Sequence, residues 1–134
     1  MAISVTFASH FPWNRPSPGA PSSNRPYAEV YLHGPSAAVR LWCLVDSGAD
    51  RIQVNRSHAA TAGLSLSKAT PRSMQTASGG TTSVDELQNV TLTIEGTHSV
   101  DTCYFGSNQT PILGRVTFLN AFDVGFDNKG WMRS

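Results

Sequence analysis

Short runs of alternating apolar and polar residues dominate this chain, and glycines and prolines separate them. Tyr27–His33 alternates with a period of two, whereas Val39–Val45 ends in four consecutive apolar residues. A period of two is typical of a strand with one buried face, and a continuous apolar run indicates a strand that enters the interior. Gly34-Pro35-Ser36 predicts a turn between them. The pattern therefore predicts a mostly β protein.

The flanking segments add a strand, an arm and a helix to this prediction. Ile3–Ala8 has the alternation of a first strand. Residues 12–26 hold five of the eight prolines, so we expect a loop or arm there. Ser57 is a candidate N-cap for a short helix over His58–Ala62, and Gly63 fits the end of that helix.

The second half of the chain predicts two hairpins, a helix and short strands. Gln75–Thr76 and Thr82–Leu87 flank Ala77-Ser78-Gly79-Gly80, which indicates a hairpin with a glycine tip. Arg115–Phe122 carries apolar residues at helical spacing. The other predicted strands are Asn89–Glu95 and Ser99–Phe105, joined through Gly96-Thr97, then Pro111–Gly114, and last Phe122–Phe126 with Trp131.

Length and charge exclude several classes of protein. The 134 residues amount to one domain, and we expect an N-terminal strand and Pro-rich arm over residues 1–26 before the main domain over 27–134. Charged residues make up 14% and the net charge is +1, which argues against nucleic-acid binding. No apolar run approaches the roughly 18–20 residues of a membrane span, and no signal-peptide pattern opens the chain. We therefore expect a cytoplasmic protein, or a fragment of a longer one, with no membrane segment.

Cysteines and histidines do not indicate a metal or a cofactor. Cys43 and Cys103 lie in apolar surroundings without zinc-site spacing, so we expect two buried free thiols. The four histidines lie in unrelated segments, and we expect surface or structural roles for them. A Ser/His/Asp triad stays open as an alternative, although no G-x-S-x-G motif occurs.

Candidate chemistry lies where an apolar strand runs into Leu44-Val45-Asp46-Ser47-Gly48-Ala49-Asp50. A carboxylate beside a buried strand must be paired, protonated or hydrogen-bonded, because burying an isolated charge is costly. Ser47 brings a hydroxyl that can bond across a turn, and Gly48 lets the backbone turn tightly. An Asp-Ser-Gly tripeptide is common at ordinary strand ends, so alone it is a weak signal.

Two segments together carry a family resemblance. Leu44–Val54 resembles the active-site segment of retropepsin-like aspartic proteases, and Pro111–Arg115 resembles the apolar–apolar–Gly–Arg motif that opens that family's C-terminal helix. The glycine-tipped hairpin between them lies where the family has its flap. The resemblance covers residues 26–126, and the Pro-rich arm has no counterpart. It implies a closed β-barrel of the retropepsin type with a flap hairpin and one or two short helices.

The resemblance also implies roles for the matching residues. Asp46 would be the catalytic carboxylate, and the hydroxyl of Ser47, where the family usually has Thr, would bridge two turns. Asp50 would pair with Arg115 in partly buried surroundings and organise the site. Residues expected to contact substrate are Gly48, Asp50, Arg51, Ser78, Gly79, Gly80 and Ile112.

The number of candidate carboxylates predicts a homodimer. Hydrolysis of a peptide by water needs a base for the water and an acid for the carbonyl oxygen, and two adjacent carboxylates that share one proton supply both. This chain has one Asp-Ser-Gly. We therefore expect an aspartic endopeptidase in which two subunits each contribute Asp46 and a polypeptide substrate lies between them.

Arg51 leads to an expectation about specificity. Neighbours along an extended segment point to opposite sides, so Arg51 should face the substrate groove if Asp50 turns towards Arg115. Leu44 and Ile112 would then form apolar walls. We expect the groove to prefer apolar side chains at the scissile bond and to tolerate an acidic one near Arg51.

Two other functions stay open. Thr76–Thr82 is small and polar and lacks the bulky residues that would keep a site dry, which fits a non-proteolytic peptide-binding or assembly module with the same fold. An unrelated β-barrel binder is the other alternative. The intact Asp46-Ser47-Gly48 favours the protease, because a retired site has little reason to keep a costly carboxylate.

Overall fold

A computed structural model describes residue 7 and residues 9–16, 25–76, 78–126 and 129–134. The described residues form ten strands and two helices. The strands are β1 (Ser9–Pro12), β2 (Tyr27–His33), β3 (Ala38–Asp46), β4 (Ile52–Asn55), β5 (Thr70–Gln75), β6 (Thr81–Ile94), β7 (Thr97–Gly106), β8 (Ile112–Gly114), β9 (Val124–Phe126) and β10 (Gly130–Arg133). The helices are α1 (Arg56–Ala62) and α2 (Arg115–Ala121). The strand predicted over Ile3–Ala8 lies outside the described residues except for Phe7.

Six strands close into a barrel. They lie in the order β2-β3-β8-β4-β7-β6, and β2 also pairs with β6, so the sheet joins its own edge. Strand β5 extends the sheet beyond β6. This architecture confirms the predicted mostly β fold, a closed barrel with two short helices of the retropepsin-like type.

Strand β8 decides where the barrel places its chemistry. It lies between β3 and β4, parallel to β3 and antiparallel to β4. The register puts Asp46 opposite Gly114, the residue before helix α2. Two segments that are distant in sequence therefore meet at one end of the barrel.

Alternating burial in the strands follows from the hydrophobic pattern. In β2, Ala28, Val30 and Leu32 are fully buried while their neighbours are half-buried, as the period of two predicts. In β3 the buried positions also alternate, and Trp42 and Leu44 are only half-buried. The expectation that β3 enters the interior thus holds for one of its faces. Barrel closure explains the difference, because each barrel strand has an inner and an outer face.

Strand β6 is longer than predicted. It joins the two predicted segments, Thr82–Leu87 and Asn89–Glu95, in one strand with a register shift against β7 between Leu87 and Val90. A bulge allows the strand to bend while both halves keep their pairing. The hairpin from β6 to β7 through Gly96 is confirmed.

A second, smaller sheet contains both ends of the described chain. Strand β10 pairs with β1 on one side and with β9 on the other. The predicted final strand, Phe122–Phe126 with Trp131, is therefore wrong in one respect, since it is two antiparallel strands. Trp131 is fully buried, and its Nε1 donates to Tyr27 O at 3.1 Å, which attaches this sheet to the barrel.

Part of the expected arm is also attached to the barrel. Arg15 donates to Glu95 Oε1 at 2.7 Å, and the Glu95 side chain is only 7% exposed. The Arg15 guanidinium also lies 4.3 Å from the ring centre of Phe11. Residues 17–24 of the arm lie outside the described residues.

Both helices are short and end near their predicted positions. Helix α1 begins two residues earlier than expected, at Arg56 rather than His58, because Asn55 rather than Ser57 is its N-cap and accepts a hydrogen bond from Ser57 N at 2.9 Å. Gly63 ends it in the left-handed conformation with φ 79°, as predicted. Within the described part of the chain, no helix is long and apolar enough to cross a membrane.

Candidate active site

The turn after β3 holds the carboxylate of Asp46. Gly48 N donates to Asp46 Oδ1 at 2.8 Å, and Ala49 N donates to Asp46 O at 3.2 Å. Asp46 is half-buried, whereas Ser47, Gly48 and Asp50 are exposed. The turn therefore orients the carboxylate by one backbone donor and leaves it accessible from the end of the barrel.

Helix α2 is attached directly to this turn. Arg115 N donates to Ala49 O at 2.8 Å, and Val116 N donates to Asp50 O at 2.7 Å. The first N–H groups of a helix have no partner within the helix, and Gly114 offers no side-chain cap. The carbonyls of the turn take that place. Thr117, which is fully buried, adds a third link because its Oγ1 accepts a hydrogen bond from Ile52 N at 3.0 Å.

Gly114 is required by the close approach of this turn. A Cβ at residue 114 would lie 2.4 Å from Arg51 N and 2.5 Å from Asp50 C, both of them backbone atoms. Any side chain would push the helix away from the turn. Close contact with the turn thus explains why residue 114 of the Ile-Leu-Gly-Arg segment is a glycine.

A groove of about 600 Å³ opens beside Asp46. The turn that follows β3 forms one side of it, and the stem of the β5–β6 hairpin forms the other. The lining residues are Asp46, Gly48, Ala49, Asp50, Gln53, Met74, Gln75, Thr76, Thr82, Asn108 and Ile112. Ile112 borders the groove as expected, whereas Leu44 and Arg51 do not line it. Its lining combines polar side chains with the apolar ones of Ala49, Met74 and Ile112.

The hairpin tip stands apart from the groove. Thr76 N donates to Gly80 O at 2.8 Å and Gly79 N donates to Thr76 O at 3.0 Å, which closes the predicted glycine-tipped turn. Ser78, Gly79 and Gly80 are exposed and do not line the groove, whereas Thr76 does. Ala77 of this predicted turn lies outside the described residues.

A comparison with protein families shows the family of the chain. A family model described as Aspartyl protease matches residues 28–115, from β2 to the first residue of α2. The match includes the turn of Asp46, the hairpin and the Gly114-Arg115 junction. The chain belongs to the aspartyl protease family. No curated protein matches the chain in a sequence comparison. The resemblance to retropepsin-like proteases is thus confirmed for family and fold.

Asp50 and Arg115 of this aspartyl protease form the pair that the resemblance implies. Arg115 Nη2 lies 3.1 Å from Asp50 Oδ1. The expectation of partly buried surroundings is wrong for the single chain, because the two side chains are 54% and 71% exposed. Water screens such a pair, and its contribution to stability is about 0–1 kcal/mol.

Arg51 lies against a different partner from the one expected. Its Nη1 donates to Asp101 Oδ1 on β7, and Thr102 N donates to the same oxygen at 2.7 Å. The Asp101 side chain is 6% exposed, so its charge needs a nearby cation. This placement contradicts the expectation that Arg51 faces the groove. The groove therefore has no arginine at this position to favour an acidic side chain of the substrate.

Asp101 is a site-supporting residue that the sequence reasoning missed. It holds the end of the Asp46 turn to β7 through Arg51. The sequence pattern does indicate a buried position for Asp101, because this residue alternates in phase with the apolar residues Cys103 and Phe105, which are fully buried. An acidic residue in the buried phase of a strand indicates a buried partner.

Arg51→Ala is expected to destabilise the protein more than Arg115→Ala. Removal of Arg51 leaves the buried Asp101 carboxylate without its cation and should lower the free energy of unfolding by about 2–4 kcal/mol. Arg115→Ala removes an exposed partner and should lower it by at most about 1 kcal/mol. Urea denaturation of both variants measures the difference. Equal losses would contradict the burial that separates the two pairs.

Other nucleophiles and metal ligands in the described residues do not form a second centre. Cys43 and Cys103 are free and buried, as predicted, and burial raises the pKa of both thiols. A buried thiol with a raised pKa is not a thiolate at neutral pH. In the part of the chain that the structure describes, no three His, Cys, Asp or Glu residues are grouped to hold a metal ion.

Proposed function

We propose that the protein is an aspartic endopeptidase that acts as a homodimer with one Asp46 from each subunit. The observation that carries this proposal is which of the acidic side chains in the groove form ion pairs. Two carboxylates line it, and Asp50 is paired with Arg115. Asp46 alone lines the groove without an ion pair among the described residues.

The remaining acids support the same assignment. Within the described ranges, every acidic side chain outside the groove except Asp123 forms an ion pair with an arginine. Asp123 is exposed and does not border the groove. Hydrolysis by a shared-proton dyad needs a second free carboxylate within a few ångströms. A second copy of this chain is the source that fits, because a two-fold axis beside Asp46 would bring two identical turns together.

The proposed mechanism gives a role to each part of the site, and the geometry is consistent with these roles. One Asp46 carboxylate takes a proton from water while the other gives its proton to the carbonyl oxygen of the substrate. Gly48 and Asp50 border the groove, where an extended peptide can bond to the backbone as an added strand. The exposed Ser47 hydroxyl is free to reach the turn of the partner. Ser78, Gly79 and Gly80 would contact substrate only if the hairpin closes over it.

A non-proteolytic peptide-binding module is the second candidate function. One observation favours it, namely that the hairpin contributes three polar side chains, Gln75, Thr76 and Thr82, and a single large apolar one, Met74, to the groove. Polar walls exclude water poorly, and exclusion of water strengthens the electrostatics of catalysis. Peptide binding without turnover by the intact protein would support this candidate.

Mixed dimers test the homodimer directly. When wild-type chain and the Asp46→Asn variant are mixed equally and allowed to exchange, only about one dimer in four has two Asp46 carboxylates. Cleavage should then fall to about one quarter of that of the all-wild-type sample at the same total concentration, and specific activity should also fall on dilution through the dimer dissociation constant. The assay is peptide cleavage at about pH 5, where a shared proton is expected.

Activity in proportion to the wild-type chain would contradict this proposal. An equal mixture would then retain about half of the cleavage, as expected for independent monomers. A sample that is monomeric by sedimentation and still cleaves peptides would lead to the same conclusion.

A further inference from the structure

A second, smaller pocket opens from the groove beneath the hairpin. Its volume is about 190 Å³, roughly a third of that of the groove. Four residues line both cavities, so the two cavities are adjacent: Gln53, Thr76, Thr82 and Asn108. Val84, Gly106 and Ser107 line only the smaller one, which we call the side pocket. Its size suits one side chain rather than a length of backbone.

Several polar side chains in the side pocket have unused hydrogen-bonding capacity. Among the described residues, the Gln53 amide and the hydroxyls of Thr82 and Ser107 have no hydrogen-bond partner within the protein. The Gln53 and Thr82 side chains are half-buried. An amide and two hydroxyls offer both donors and acceptors to a ligand.

Asn108 adds a fixed acceptor to the side pocket. Its Nδ2 donates to Gln53 O at 3.2 Å and to Thr110 O at 2.8 Å, which holds the amide in one orientation. The Oδ1 atom lies 3.7 Å from the position that a Cβ would have at Gly106, on the floor of the side pocket. A ligand donor that reaches the floor would therefore meet an acceptor whose direction is already set.

Gly106 sets the depth of the side pocket. A Cβ at this residue would lie 3.1 Å from Val84 Cγ1, closer than an ordinary contact. The absence of a side chain at residue 106 leaves room above Val84, so the side pocket has an apolar surface at Val84 and Gly106 beside its polar side chains.

We propose that the side pocket selects an uncharged polar side chain of the polypeptide substrate, of the kind found in Ser, Thr, Asn and Gln. This specificity rests on the proposed endopeptidase function. No charged residue lines the pocket among the described residues, so a charged side chain would lose water without gaining a partner. An apolar side chain would displace water from Gln53 and Thr82 and leave their polar atoms unpaired. A side chain with a donor and an acceptor can form hydrogen bonds with the polar atoms of both Gln53 and Thr82.

Cleavage of a peptide library by the wild-type protein, read by mass spectrometry, measures the preference. At one position near the scissile bond we expect Ser, Thr, Asn and Gln to be favoured over Leu, Val, Asp and Lys by about tenfold or more. Gln53→Leu and, independently, Thr82→Val should shift that position towards apolar residues. Gln75→Leu is the matched control, because Gln75 lines the groove but not the side pocket, and it should leave the preference at that position unchanged.

A binding measurement separates this proposal from the proposed function. The Asp46→Asn variant is titrated with pairs of peptides that differ at one position, where one peptide of each pair has Gln and the other has Leu, and every position is tested in turn. Tighter binding of the polar peptide of one pair, lost in Asp46→Asn/Gln53→Leu, supports the side pocket even if the wild type cleaves nothing. Equal binding of the two peptides of every pair overturns it, as does a cleavage preference that neither Gln53→Leu nor Thr82→Val changes.

Discussion

Replacement of Asp46 by Asn is expected to abolish peptide cleavage and to preserve the fold. Asn has nearly the same shape, and its Oδ1 can accept the hydrogen bond that Gly48 N now donates at 2.8 Å. An amide cannot take the proton of the attacking water, so the loss of proton transfer should reduce kcat/KM by about 10²–10⁴-fold or more. The measurement compares both proteins on the same peptides and records their thermal unfolding.

Asp123→Asn is the matched control for this prediction. Asp123 is another acid without an ion pair to the residues that the structure describes, but it is exposed and does not border the groove. This variant should cleave at the wild-type rate. Substantial residual cleavage by Asp46→Asn with an unchanged fold would remove Asp46 from the mechanism.

Gly114→Ala is expected to cause the largest loss of stability among the substitutions considered. The new Cβ would lie 2.4 Å from Arg51 N and 2.5 Å from Arg51 O, and backbone atoms cannot move away as a flexible side chain can. The turn is also held by Arg115 N and Val116 N, so relief of the overlap breaks those bonds. We expect the free energy of unfolding to fall by about 3 kcal/mol or more, together with loss of cleavage because Asp46 moves.

Gly96→Ala is the control for the loss of a glycine as such. Gly96 has φ 81°, and no atom of another segment lies within 4 Å of the position that a Cβ would have there. An alanine at this residue would therefore cause backbone strain but no steric overlap. That strain costs about 1–2 kcal/mol. Chemical denaturation of the two variants separates strain from overlap. If Gly114→Ala unfolds at the same denaturant concentration as the wild type, helix α2 and the turn do not approach each other as closely as described.

The predicted elements were most accurate where structure depends on neighbours in the sequence. Strand β2 has the predicted bounds, since a period of two sorts its side chains to two faces whatever packs against them. The left-handed end of helix α1 at Gly63 is likewise a local property. Strand β6 was divided in two because a bulge within a strand resembles a break when the partner strand is unknown.

Two predictions failed because they depend on contacts between distant segments. Arg51 was expected in the groove because an extended backbone alternates sides, but the buried carboxylate of Asp101 lies fifty positions away and attracts it. Trp131 was assigned to one strand with Phe126, whereas the chain reverses between them and pairs them across two strands. Alternation says which residues share a face, and it does not say which other segment lies against that face.

By itself the sequence determined the strand that ends at Asp46, the turn at Gly48 and the helix that begins at Arg115, because steric limits and short-range hydrogen bonds decide such features. Only the tertiary structure decided that β8 lies between β3 and β4 and so brings Gly114 against Arg51. It also decided that the Arg51–Asp101 pair is buried while the Asp50–Arg115 pair is exposed. The physical reason is that burial, and with it the strength of an ion pair, depends on which distant segments exclude water from the same place.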